Sequence, residues 1–140
     1  MPRPGPARRR RACDPGRMDD SAPLLVIVDA ANVVGSVPDG WWRDRRGAAR
    51  RLRDRLAADG VPGRPGPVEI VLVVEGAARG VDSVPGVRVE PAPGSGDDHM
   101  VDLVARADGR PVLVVTADRE LRRRVAELGA EVAGPRTVRP

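Results

Sequence analysis

The sequence predicts an α/β domain: a three-layer, Rossmann-like parallel sheet with helices on both faces. Leu24-Leu25-Val26-Ile27-Val28 and Val112-Leu113-Val114-Val115 are unbroken apolar runs. Such runs mark strands buried on both faces rather than one. Between the runs lie segments with apolar residues three and four apart, the helical period that separates parallel strands. Right-handed crossovers then bring the carboxyl ends of the strands to one edge. Open α/β sheets bind their ligands at that edge.

The elements follow in order. Strand one covers about 24–29. Helix one is expected over 41–58, with Leu52 and Leu56 one turn apart, Ala48 and Ala49 a turn earlier, and a stop at Asp59-Gly60. A loop runs from Gly60 to Pro67. Strand two is 68–74, and a short third strand lies near 86–90. Helix two is expected over 97–107, with Val101, Val104 and Ala107 inward. Strand four covers 111–116. Helix three is expected over 118–128, with Leu121, Val125 and Leu128 on one stripe. A last strand lies near 130–133. The chain thus divides into an Arg- and Pro-rich extension at 1–20, a single domain at 21–134, and a short Pro-bearing tail at 135–140. The extension has no periodicity and reads as disordered. Met18 is a candidate start, because ordered sequence begins just after it. The run Arg8–Arg11 could touch nucleic acid, but no part of the functional reading rests on it.

Composition excludes several chemistries. The chain has no Lys, Tyr or Phe, one His and one Cys. A P-loop lacks its Lys, a Schiff base has no amine side chain to form on, and a thiolate zinc site lacks ligands. With Cys13 alone, no intramolecular disulfide forms, which fits a reducing cytoplasm. No apolar run reaches the length of a membrane span, and the basic N-terminus lacks the apolar segment of a secretory signal. A cytoplasmic location is expected. Much of the net charge of +4 sits in residues 1–20, which carry six Arg against three Asp. The rest is nearly neutral, but Arg crowds the expected helices and Asp the strand ends. An Arg surface around an acidic hole suits a polyanion gripped near metal ions; Arg-rich faces also serve simply as solvated faces.

Three sources of carboxylate meet at the strand ends. Asp29 ends strand one, with Asn32 three residues on. Asp118 ends strand four, with Thr116 two residues before it. Between them lies Gly96-Asp97-Asp98-His99-Met100-Val101-Asp102. Asp98 and Asp102 share a helix face. Each acid also has a plain structural explanation: a helix cap for Asp29, Asp118 and Asp98 with Ser95, a dipole partner for Asp97, a solvated face for Asp102. Together they suggest a site for a hard divalent cation, which prefers carboxylate and water oxygens. Glu75, at the end of strand two, is a secondary contributor. His99 reads as a surface residue. Of Trp41-Trp42, one is expected to pack under helix one and the other to stack on a base.

At these residues the chain resembles PIN-like nuclease domains of the NYN type, in particular the bacterial YacP-like and actinobacterial NYN proteins. The matching pieces are Val28-Asp29-Ala30-Ala31-Asn32-Val33-Val34, Ser95-Gly96-Asp97-Asp98 with Asp102, and Val114-Val115-Thr116-Ala117-Asp118-Arg119-Glu120-Leu121. They stand in the family's order and span most of residues 24–128. The resemblance implies strand order 3-2-1-4-5 and a Mg²⁺- or Mn²⁺-dependent RNase site. Asp29, Asp98 and Asp118 match the metal-binding acids, Asn32 the Asn after the first strand, and Asp102 an acidic position one turn later. The Asp97-Asp98 doublet departs from the pattern and leaves the choice of ligand between the two open.

The expectation is a cytoplasmic, metal-dependent endoribonuclease of RNA. Asp29, Asn32, Asp98 and Asp118 are the catalytic candidates, with Asp97 and Asp102 as further metal ligands. Arg119 and Arg43, with Arg122, Thr116 and Trp42, are the candidate substrate contacts, since Arg matches phosphate with paired donors. A homodimer is a candidate assembly. The alternative is a non-catalytic nucleic-acid- or protein-binding domain on the same fold; hydrolysis of a phosphorylated small molecule is a weaker third.

Overall fold

The computed structural model describes residues 22–64 and 66–139. The expected extension at 1–20, with Cys13 and Met18, lies outside the described residues. Five strands form the sheet: β1 (Leu24–Asp29), β2 (Val68–Val74), β3 (Val87–Pro91), β4 (Val112–Val115) and β5 (Glu131–Ala133). Every pairing is parallel, in the order β3-β2-β1-β4-β5. This is the 3-2-1-4-5 order that the resemblance implied. The order reverses between β1 and β4, and the crevice at such a switch point is where ligands bind.

Strand alternation distributes the core. Val26, Val28, Ile70, Leu72 and Val74 face helices α1 (Ala30–Val34) and α2 (Arg45–Asp59), meeting Val33, Ala49, Leu52 and Leu56. Leu25, Ile27, Val71, Val73 and Val114 face α3 (Gly96–Ala105) and α4 (Arg119–Glu127), meeting Met100, Val104, Leu121 and Val125.

Several boundaries differ from expectation, each for a local reason. The expected helix 41–58 is a 3₁₀ turn at Trp41–Arg43 followed by α2. Asp44 separates them: its backbone leaves the helical region, and its carboxylate accepts from Gly47 N–H at 3.0 Å as the N-cap. Helix α1 was not expected, because five residues are too few to show a period. Helix α3 starts at Gly96 and ends at Ala105, two residues before its expected end; Asp108 and Gly109 turn the chain with positive φ. Its buried stripe is Met100 and Val104, while Val101 and Ala107 are half-buried. Leu128, expected on the buried stripe of α4, is 49% exposed. The helix stops at Glu127, and Gly129 turns away with φ +93°. Residues 135–139, read from the sequence as a tail, return to the sheet: Pro135–Thr137 form a 3₁₀ turn, and Val138 enters the core beside α2. One apolar residue after a turn carries too little pattern to announce its burial.

Ile27 is fully buried in the central strand, so Ile27→Ala should cost about 2–5 kcal/mol in urea unfolding. Leu128→Ala should change stability by less than about 0.5 kcal/mol, as for other exposed positions.

Candidate active site

The site is built from the carboxyl ends of β1, β2 and β4 and the first turn of α3. Asp29 ends β1 with only 6% of its surface exposed. Both its oxygens are held. Asn32 N–H donates to Oδ1 at 3.2 Å, capping α1. Thr116 Oγ1 donates to Oδ2 at 3.0 Å. The same Thr116 oxygen accepts from Asp118 N–H at 3.1 Å. One buried hydroxyl therefore ties the end of β1 to the turn after β4. Asn32 adds a second tie, its Oδ1 accepting from Ala117 N–H at 2.8 Å. Asp118 caps α4, accepting from Leu121 N–H at 3.0 Å through Oδ1, and Oδ2 accepts no hydrogen bond among the described residues.

Burial pushes the Asp29 carboxyl up to about 6, against the opposing pull of the bonds from Asn32 and Thr116; the charges of Asp97 and Glu75 push the same way as burial. Asp97 is also raised, by burial first and then by Asp118, Glu75 and Asp98, with Arg124 opposing. Asp29, Glu75, Asp97 and Asp118 are thus one mutually repelling group. None of the four forms an ion pair among the described residues. Glu75 comes from the end of β2, and its Oε2 accepts from Gly96 N–H at 3.1 Å. The glycine makes room for that approach: a Cβ at residue 96 would stand 2.1 Å from Glu75 Oε2.

The two acids of the doublet stand in different surroundings. Asp98 was expected at the site, yet its side chain is 74% exposed and pairs with Arg124 at 3.0 Å. Its neighbour Asp97 is the one whose charge reaches Asp29. At the start of a helix, successive residues lie about 100° apart, so only one of an adjacent pair faces the strand ends. Asp102 stands farther along α3 and pairs with Arg106 at 2.7 Å on an exposed face. That places it with the surface charges rather than with the acidic group.

The basic and aromatic candidates are spread more widely. Arg119 is exposed at the first position of α4, beside Asp118. Arg122 is structural, its Nε donating to Thr116 O at 2.7 Å. Trp41 is half-buried against the core with Arg45 over its ring at 5.3 Å. Trp42 is 50% exposed, packs edge-on to Trp41 with centroids 6.0 Å apart, and carries Arg43 at 5.7 Å. His99, expected as a surface residue, is half-buried and bonds Glu90 Oε1 at 2.7 Å through Nε2. Arg124 was not singled out from the sequence; its place on α4 six residues after Asp118 was the available signal.

No family model matches the chain, and no curated protein matches it. Among solved structures, it is similar to a mutant form of Rae1 (YacP) from Bacillus subtilis. The TM-score is 0.60 at 19% identity, covering 81% of this chain and 71% of that one. The shared feature is the fold, a Rossmann-like parallel sheet flanked by helices.

A carboxyl raised above its unfolded value near 3.8 contributes stability below about pH 4 and loses it as pH rises towards 6. Asp29→Asn removes that loss. The variant should be more stable than the parent by about 1–3 kcal/mol above pH 7, with the difference closing near pH 4. Thermal melts across pH in EDTA read this directly; equal stability at neutral pH would contradict the burial argument.

Proposed function

We propose that this chain is a divalent-metal-dependent ribonuclease that hydrolyses phosphodiester bonds at the acidic edge between β1 and β4. The observation that carries the reading is the buried Asp29, held by two hydrogen bonds beside three other carboxylates, none of the four in an ion pair among the described residues. A protein that places a carboxylate so against its own stability has a use for it. The oxygen-only donor set fits a hard cation such as Mg²⁺ or Mn²⁺, and the repulsion within the group is what such a charge relieves. Asp29, Asp97 and Asp118 would hold it, with Glu75 at the margin. Asp98 stands nearby on Arg124 as a further candidate. A cation bound there supplies an acidified water as nucleophile and charge stabilisation at phosphorus.

The chain's own residues account for the remaining tasks. Thr116 and Asn32 fix where Asp29 and Asp118 point, and so position the acids without needing to touch substrate. Arg119, first on α4, offers a guanidinium fork to a substrate phosphate. Arg43 and exposed Trp42 offer charge and a stacking surface to a single strand. The sequence motifs shared with PIN-like NYN domains and the likeness of fold to Rae1 (YacP) support RNA as the substrate class. A second reading, a non-catalytic nucleic-acid-binding domain, has one observation in its favour. Among the described residues, no three acidic or imidazole side chains stand close enough to enclose an ion without moving.

Cleavage of end-labelled single-stranded RNA with Mn²⁺, Mg²⁺ or EDTA tests the proposal. Asp29→Asn and Asp118→Asn should abolish metal-dependent cleavage. Asp97→Asn should reduce it by about 100-fold or more, and Asp102→Asn by less than about threefold. Cleavage that persists in EDTA, or that survives Asp29→Asn, would overturn the assignment. A folded parent inactive with both metals would favour the binding-domain reading.

A further inference from the structure

A separate cavity of about 230 Å³ opens between α2 and the returning C-terminal turn, lined by Asp39, Ala48, Arg51, Leu52, Arg55 and Arg139. It shares no lining residue with the acidic group. Arg51 and Arg55 are one helical turn apart on α2, both exposed, beside the buried Ala48 and Leu52. Like charges at that spacing repel. Elsewhere on α2, Arg46 donates to Arg79 O, Arg53 donates to Asp54 and Asp82 O, Arg45 lies over the Trp41 ring, and Arg50 is exposed without a partner among the described residues. Arg51 and Arg55 have no hydrogen-bond or ion-pair partner among the described residues. The third guanidinium, Arg139, is fixed in place. It pairs with Asp39 and donates through Nη1 to Val34 O at 3.3 Å, with 18% of its side chain exposed. Three arginines and one carboxylate thus line a single concave, partly apolar surface.

We propose that Arg51, Arg55 and Arg139 form a phosphate-binding cavity that takes a backbone phosphate of the RNA strand engaged at the acidic edge. The inference rests on the nuclease reading and extends it to how the strand is gripped. Planar guanidinium forks match phosphate oxygens with paired donors, and a bound oxyanion removes the repulsion between Arg51 and Arg55. The two sites are linked through α1. Asp29 caps its start, and Arg139 holds the carbonyl at its end. A helix of five residues at about 1.5 Å each spans roughly 7–8 Å. Arg51 and Arg55 lie roughly 9 and 15 Å along α2 from its first residue, Arg45, so a strand engaging both sites extends over several nucleotides.

The test is binding of a short fluorescent single-stranded RNA to the full chain in EDTA, measured across salt concentration. Arg51→Gln with Arg55→Gln should weaken binding and flatten the slope of log K against log salt by about 0.7, the value for one phosphate contact on a single strand. Arg123→Gln, which removes a surface partner of Glu120 and Glu127, should leave the slope unchanged. Melts should show the double variant as stable as the parent, because only a repelling pair is lost. With Mn²⁺, the double variant should raise KM and leave kcat near the parent value. An unchanged affinity and slope would overturn the proposal, as would inorganic phosphate or a mononucleotide binding the cavity without displacing RNA. Because binding is read in EDTA, a parent that binds RNA with this slope but does not cleave it would fail the nuclease reading and leave the cavity standing. Cleavage that is identical in parent and double variant, with equal slopes, would fail the cavity alone.

Discussion

The hydroxyl of Thr116 holds the carboxyl edge of the sheet together. It donates to Asp29 and accepts from the backbone of Asp118, so a single buried oxygen sets the distance between two strand ends. The bond matters because Asp29 lies where water cannot reach both its oxygens. An unsatisfied buried carboxylate would cost more than the domain could tolerate. Asn32 adds a second bond across the same gap, its Oδ1 accepting from Ala117 N–H, so the ends of β1 and β4 are tied twice. The rest of the acidic group is arranged around this fixed point.

That arrangement works against stability. Burial raises Asp29, and Asp97 and Glu75 raise it further. A domain selected only to fold would carry an apolar or amide side chain at the end of its central strand. Retaining a carboxylate there is the sort of local conflict that marks a functional position. The large apolar sheet supplies the stability that offsets it: β1, β2 and β4 are buried through nearly their whole length on both faces.

Charge is separated over the surface in a way the composition alone does not reveal. Most arginines are occupied with carboxylates or carbonyls, as in Arg64 with Glu131, Arg110 with Glu69 and Pro23 O, and Arg123 with Glu120 and Glu127. These are ordinary surface and edge contacts, each worth little. On α2, Arg50, Arg51, Arg55 and Arg45, which lies over the Trp41 ring, have no such partner among the described residues; of these only Arg51 and Arg55 line the cavity with Arg139. Counting arginines along α2 makes them equivalent; the partners that engage Arg46 and Arg53 come from residues about thirty positions away.

The sequence by itself determined the sheet, its parallel sense, and the strand-end positions of Asp29, Glu75 and Asp118. Unbroken apolar runs leave a strand no solvent face; Asp29 and Glu75 are the first polar residues after their runs, and Asp118 follows its run by way of Thr116 and Ala117. The strand order was implied by the resemblance to NYN domains, and the sheet has that order. The tertiary structure decided what depends on direction and on distant neighbours. It selected Asp97 over Asp98 for the acidic group, because residues adjacent on a helix point to different sides and only the placement of α3 says which side faces Asp29. It assigned Asp102 to Arg106, turned Leu128 outward, and folded Val138 under α2. Single residues at element ends carry no period, so their environment is set by what packs against them. It also gave Thr116 its role: which strand ends lie within reach of its hydroxyl is settled only when β1 and β4 become neighbours.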